Sequence, residues 1–223
     1  METSIEVKKP GAAYPWIILA LLSMGLLISF VDRTSLSSAL ADKNFVRDFA
    51  LTSVDRGWLN SAFFWTYGLM QLPMGWLVDR YGVKWPYTVC FAIWCVATAA
   101  TSLVTALTAL LLMRLLIGAA EAVVIPASYR WIGNNFGENH KGFAVGLFAM
   151  GGKFGPAIGA PIAAWLIVNY SWKFMFVATG IVGLIWLMPW LFMVRNDFPS
   201  KEQLASAKRS ASSVTLRNIL SSP

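Results

Sequence analysis

The sequence predicts an all-α membrane protein of six spanning helices, and three observations carry that prediction. Of the 223 residues, 57% are hydrophobic and only 13% charged, with a mean hydropathy of +0.59. A soluble domain carries about a quarter charged residues, so this chain falls in the membrane class. The apolar residues are gathered into six runs of about 20 residues, each long enough at 1.5 Å per residue to cross a hydrocarbon layer of ~30 Å. The basic residues lie between these runs with a one-sided bias. A net charge of +7 spread in this way forms no phosphate-binding patch, so nucleic acid is not a partner; the lipid bilayer is.

The candidate spans, in order, are 14–36, 58–78, 85–104, 107–131, 143–168 and 174–194. They define a cytoplasmic N-terminal tail (1–13), a transmembrane domain (14–195) and a polar cytoplasmic linker (196–223). The first run is no cleaved signal peptide, because Asp32-Arg33 follows it and five further apolar segments come after. With the N-terminus inside, eleven of the eighteen Lys and Arg residues fall on inner segments and four on outer ones; Arg33, Arg114 and Lys153 lie within spans. The positive-inside rule then puts both termini in the cytoplasm of a multi-pass cell-membrane protein. In the linker, Ser200-Lys201-Glu202-Gln203 has the spacing of a capping box opening a short helix. Cys90 and Cys95 share one apolar run, point in different directions, match no metal spacing, and read as buried thiols.

Within the apolar runs a few polar residues stand out. Span four contains Arg114, Gly118 and Glu121; the two charges are seven residues apart and therefore share one helix face. Span one is interrupted by Asp32-Arg33. Ionisable groups inside a membrane are costly and face a partner or a wet cavity, so these four form the candidate working centre; the structural alternative is an ion-pair cluster that only holds helices together. Depth along the helices places Asp32 ~24 Å across and Arg114 ~10 Å below the outer surface, at nearby levels, with Glu121 another ~10 Å deeper. This pairs Asp32 with Arg114 and requires Arg33 to reach down to its partner. Lys153, ~15 Å deep in span five, is a fifth charge. It makes the cavity net positive, which favours an anion; the alternative is an ion pair with Glu121.

Gly75-Trp76-Leu77-Val78-Asp79-Arg80-Tyr81-Gly82-Val83-Lys84 joins spans two and three. It closely resembles the signature loop of the major facilitator superfamily, G-x-L-x-D-R-x-G-x-K/R. Gly75, Asp79, Arg80, Gly82 and Lys84 are the positions that match. In that family the loop acts as a gate latch, and the Asp79 position packs against the other half of the transporter. The stretches around Phe30-Val31-Asp32-Arg33, Gly57 to Tyr67, and Arg114…Gly118…Glu121 are similar to the anion:cation symporter branch, which includes bacterial sugar-acid and phthalate permeases. The resemblance covers the N-terminal half of a family member.

That resemblance implies the N-terminal six-helix half of a major facilitator fold and proton-coupled symport of an organic anion, a sugar acid or aromatic carboxylate. Asp32 and Glu121 correspond to the proton-linked carboxylates, and Arg33 and Arg114 to their substrate-binding partners. Tyr67 and Lys153 are further substrate contacts. Many members carry tyrosine where this chain has Phe30, which removes one hydroxyl contact. No cofactor is implied, and the coupling ion is a proton. A half cannot rock about a central site alone, so the chain is expected to be a fragment, or to need a complementary C-terminal half or a second copy. Gly151, Gly155 and Gly159 with Pro156 and Pro161 also resemble the glycine-proline motif of proton-coupled antiporters, which keeps drug or metabolite antiport as an alternative. A third reading is a truncated membrane fragment that transports nothing. No nucleophile–base pair or metal cluster is visible, so an enzyme is not expected.

Overall fold

A computed structural model describes residues 13–197. Every regular element among them is helical: α1 (Tyr14–Ala41), α2 (Lys43–Asp48), α3 (Ser53–Tyr81), α4 (Lys84–Ala100) with a 3-10 turn at Thr101–Leu103, α5 (Leu107–Glu121), α6 (Val124–Asn135), α7 (Glu138–Asn169) and α8 (Trp172–Met193). The expected capping box at 200–203 lies outside the described residues. Five units are long and apolar enough to cross a membrane: α1, α4 with its 3-10 turn, α5 and α6 taken together, α7 and α8. α3 has 29 residues, but Asn60, Thr66 and Gln71 dilute its apolar character.

The helices start where local chemistry satisfies their free N–H groups. At the head of α3, Thr52 Oγ1 accepts from Asp55 N at 3.2 Å, while Asp55 Oδ2 accepts from Thr52 N at 2.9 Å. This reciprocal box begins the helix five residues before the predicted span. Ser171 caps α8 in the simpler way, accepting from Phe174 N at 3.1 Å.

Two departures from the sequence reading matter for the site. The fourth span, expected as one helix over 107–131, is broken at Ala122-Val123, directly after Glu121. Pro126, one turn on, has no N–H to offer the Ala122 carbonyl, so the helical ladder is interrupted where Glu121 sits. The second departure is α2, capped by Asp42, whose carboxylate accepts from Phe45 N at 2.9 Å. Its Phe45 is fully buried beside Trp172, with ring centroids 5.0 Å apart. The Trp172 indole donates to Asp48 at 2.9 Å. The segment after α1 is therefore a plug closing one end of the bundle.

Three helix pairs organise the rest: α7 lies along α1, α8 along α4, and α3 along α5. Gly151, Gly155 and Gly159 make the first contact close. A β-carbon at Gly155 would lie 2.5 Å from Phe30 Cβ, and one at Gly159 would lie 2.8 Å from Val31 Cα. Small residues at this spacing let two backbones approach. The α4–α8 contact is aromatic, with Tyr87 stacked on Trp190 at 4.4 Å and Phe91 against Trp186 at 4.5 Å. Cys90 and Cys95 are free and buried, Cys95 against Gly183 of α8 and Cys90 towards Met74 of α3. Leu69, Leu72, Val168 and Phe192 stand largely exposed around the outside, which suits a surface facing acyl chains and not water.

Candidate functional site

Asp32 and Arg33 are neighbours on α1, so their side chains leave the helix about 100° apart. That angle sends them to different partners. Asp32 turns to α4, where its Oδ2 accepts from the Trp94 indole at 2.6 Å and from Thr98 Oγ1 at 2.8 Å. Arg33 turns to α5 and forms an ion pair with Glu121, its Nε donating to Oε1 at 2.6 Å. Ser29, one turn before Arg33 on the same face, donates its hydroxyl to the same oxygen. Glu121 is fully buried, whereas the Arg33 side chain keeps 18% of its surface exposed. The pair therefore has one sealed member and one that faces a cavity.

The Arg33 guanidinium is also enclosed by aromatic rings. It lies 4.5 Å from the Phe30 centroid, 4.5 Å from Tyr67 and 5.0 Å from Phe63. Cation–π attraction from three sides holds the fork in place. Gly118 brings these helices together, since a β-carbon there would strike the Phe63 carbonyl and the Thr66 hydroxyl on α3. Its missing side chain serves a helix contact.

Arg114 corrects the expected pairing. Among the described residues it forms no ion pair, with Asp32 or any other carboxylate. It is 2% exposed, its guanidinium lies over the Phe176 ring at 5.7 Å, and its Nε and Nη2 have no hydrogen-bond partner. The reason lies on α4, where Trp94 and Thr98 already draw Asp32 away from α5. Asp32 Oδ1 and Glu121 Oε2 are likewise buried without partners. A cleft of about 140 Å³ between α1, α3 and α5 is lined by both arginines together with Thr34, Ser37, Asn60 and Phe63. Two guanidinium groups with hydroxyl and amide neighbours form a surface complementary to a small carboxylate bearing hydroxyls.

Lys153 sits apart from this cluster. It is exposed on α7 and makes no ion pair with Glu121, whose bonded oxygen is occupied by Arg33 and Ser29. The ion-pair alternative for Lys153 is therefore not what the structure holds. Tyr67 contributes its ring to the Arg33 cage.

The loop between α3 and α4 forms a second site. Asp79 forms an ion pair with Arg130 of α6, and Gly75 faces Pro126 of the same helix. Gly82 has φ +79° and ψ −176°, a conformation open essentially to glycine. The carboxylate of Asp197 accepts from Val83 N at 2.8 Å and Lys84 N at 3.2 Å, closing the start of α4. Arg80 lies over Trp76 at 5.4 Å. The sequence reading missed Arg130 and Asp197, as it missed Ser29, Trp94 and Thr98. Ser29 carried a signal, being four residues before Arg33; the others are joined to the site only by tertiary packing.

The sequence profile of the Major Facilitator Superfamily matches residues 22–223. A D-galactonate transporter of Escherichia coli O6:H1 is 32% identical over 190 residues, covering 85% of this chain and 44% of its own length. A hexuronate transporter of Escherichia coli K12 is 28% identical over 186 residues, covering 83% and 43%. The chain spans about half the length of the curated relatives it matches, and the match lies in their N-terminal half. Among solved structures, a bacterial homologue of the human lysosomal transporter Spinster, inward-facing and unoccupied, superposes with a TM-score of 0.74 at 20% identity. It covers 86% of this chain and 45% of that one.

Proposed function

Because the chain belongs to the Major Facilitator Superfamily, we propose that it forms the N-terminal six-helix unit of a proton-coupled organic-anion symporter, with a sugar acid as substrate. In this reading α3 is the sixth spanning unit, both termini face the cytoplasm, and the membrane is the cell membrane. A complementary six-helix unit or a second copy completes the site. The observation that carries the reading is the pairing of half-open Arg33 with sealed Glu121, beside a cleft to which Arg114 also contributes.

An anionic substrate entering that cleft competes with Glu121 for Arg33. Glu121, fully buried and left with only Ser29, then takes up a proton, since an unpaired charge in a low-dielectric interior is costly. Anion and proton move together. Asp32, the second carboxylate of the pair of coupling residues, stays on Trp94 and Thr98 and does not line the cleft. Tyr67 and the hydroxyls of the cleft are the remaining contacts on this side, and Lys153, which does not line the cleft, meets the substrate in this account only once the complementary unit completes the site. Rocking of the two units about the midplane opens the site to either side, and the Asp79–Arg130 pair, which lies within this unit, orders the loop that meets the other one.

The names of the relatives support the anion class; their sugar acids are candidates for this chain. A proton-coupled antiporter is the second reading, but its sequence support, the glycine-proline run of α7, is accounted for by packing against α1. The test is uptake of a labelled sugar-acid panel into vesicles, with an inward proton gradient and at symmetrical pH, with and without a complementary six-helix unit. Gradient-driven uptake that needs the second unit supports the reading. Anion-independent transport of cations moves the assignment to the antiporter, and no transport in any form leaves a membrane fragment.

A further inference from the structure

Among the described residues, Lys153 is an intramembrane cation with no ion-pair partner. It stands exposed at the middle of the 32-residue α7. At 1.5 Å per residue this leaves ~23 Å of helix on either side, more than a snorkelling lysine bridges. The carboxylates inside the bundle are engaged elsewhere, Asp32 with Trp94 and Thr98, and Glu121 with Arg33 and Ser29. Glu138, at the head of α7, pairs with Lys141. An ammonium left facing acyl chains is costly, so this position calls for a partner from outside the unit.

The surface around Lys153 is unlike the rest of α7. The buried face of the helix runs through Ala144, Phe148, Gly151, Gly155, Gly159 and Ala163, and at 100° per residue Lys153 points about 150° away from it. On that outer side its neighbours along the helix are Gly142, Gly146, Ala149, Ala157, Ala160 and Ala164, all exposed. A β-carbon at Gly142 or Gly146 would meet nothing within 4 Å. The large apolar residues Phe143, Met150 and Phe154 gather on the adjoining flank, 67%, 47% and 50% exposed, where acyl chains suit them. Small side chains, by contrast, let a second helix come close. Gly152, beside Lys153, faces α1: a β-carbon there would lie 3.0 Å from the Phe30 ring, which is itself 4.5 Å from the Arg33 guanidinium. The small-residue face therefore borders the arginine side of α1.

A second copy of this chain does not suit that face. Two copies inserted the same way round and related by a two-fold axis place Lys153 against Lys153, and like charges repel most where the dielectric is low. We propose that the α7 face centred on Lys153 docks one helix of the complementary unit, and that this helix carries an Asp or Glu level with Lys153. The proposal rests on the reading of the chain as one unit of a two-unit transporter. Across the interface the carboxylate neutralises the ammonium and fixes the register of the two helices, while the small residues set their separation. In the assembled site that carboxylate is what a substrate anion displaces to reach Lys153.

The test is energy transfer between two labelled copies of the full chain in liposomes at low protein-to-lipid ratio, with the donor on the unaltered chain and the acceptor on a partner. A partner carrying Lys153→Glu presents the proposed surface, small residues around one carboxylate at the right level. Saturable transfer to it is expected, at least fivefold above that to an unaltered partner and at least fivefold above that to a Lys153→Gln partner of the same shape. Gly146→Ile with Ala160→Ile, which thickens the face in the partner, abolishes the transfer, and Phe192→Ala on the exposed side of α8 leaves it unchanged. All these positions are exposed, so the fold is not at stake. The proposal is overturned by no transfer to the Lys153→Glu partner above that of randomly dispersed labels, by equal transfer to an unaltered or Lys153→Gln partner, or by transfer that survives the thickened face. The readout is association, so its failure is distinct from failure of the uptake that tests the symport reading.

Discussion

Among the described residues two ion pairs tie helices together, and they are opposites. Arg33–Glu121 joins α1 to α5 inside the bundle, with Glu121 fully buried, the Arg33 fork caged by three aromatic rings, and Ser29 adding a bond to the shared oxygen. Asp79–Arg130 joins α3 to α6 at the bundle end, with the Asp79 side chain 69% exposed. The chemistry is the same, but the surroundings set its worth. Water and salt screen the exposed pair, so it breaks and reforms at little cost, as a latch requires. The buried pair resists loss of either partner, and so it opens readily only to something that replaces the partner, which in the proposed function is an anion on Arg33 and a proton on Glu121.

The contrast predicts a graded series of stability losses, readable by thermal unfolding of each variant in lipid. The largest follows Glu121→Ala, which leaves Arg33 facing a buried gap; a loss of roughly 3–5 kcal/mol is expected, as when one partner of a buried pair is removed. A loss as small as that of an exposed pair would break the comparison. Next comes Trp94→Phe, which keeps the ring but removes one of the two donors to Asp32. A charge-assisted hydrogen bond contributes about 1.5–3 kcal/mol, and Thr98 retains part of it.

At the bundle end, Gly82→Ala costs about 1–3 kcal/mol, because the residue sits in a region of φ/ψ space reserved for glycine. The new β-carbon also lies 2.6 Å from the Asp197 carbonyl. The smallest effect is Asp79→Asn, ~0–1 kcal/mol and further reduced in high salt. If Asp79→Asn destabilises the chain more than Gly82→Ala, the loop is held by its ion pair and not by its backbone.

The helical membrane class, the signature loop and the charged residues at the centre were legible because charge inside an apolar run is rare and stands out. Partner identity was not. Depth along a helix axis gives height, and on height alone Asp32 and Arg114 match. What separates them is azimuth: Asp32 and Arg33 diverge by about 100°, and only the packed bundle tells which of α4 and α5 each one meets. Trp94 and Thr98 were invisible as donors because each lies in an apolar run and carries a single polar atom. The break after Glu121 was written in Pro126, whose lost N–H falls on Ala122, but the unbroken apolar run around it read as one span. α2 was missed because six residues give too short a pattern, although Asp42 is placed as a cap. Asp197 closes α4 from more than 100 residues away in sequence, a contact no local pattern announces.

The central claim is that an anion takes Arg33 and leaves Glu121 to gain a proton. Difference infrared spectroscopy of the carboxyl region, on membranes holding the preparation that takes up sugar acid, tests it directly. On addition of the anion, the account predicts loss of a carboxylate band and gain of a protonated carboxyl band, both absent in Glu121→Gln. No change in the carboxyl region on anion binding, or a change that persists in Glu121→Gln, would contradict it.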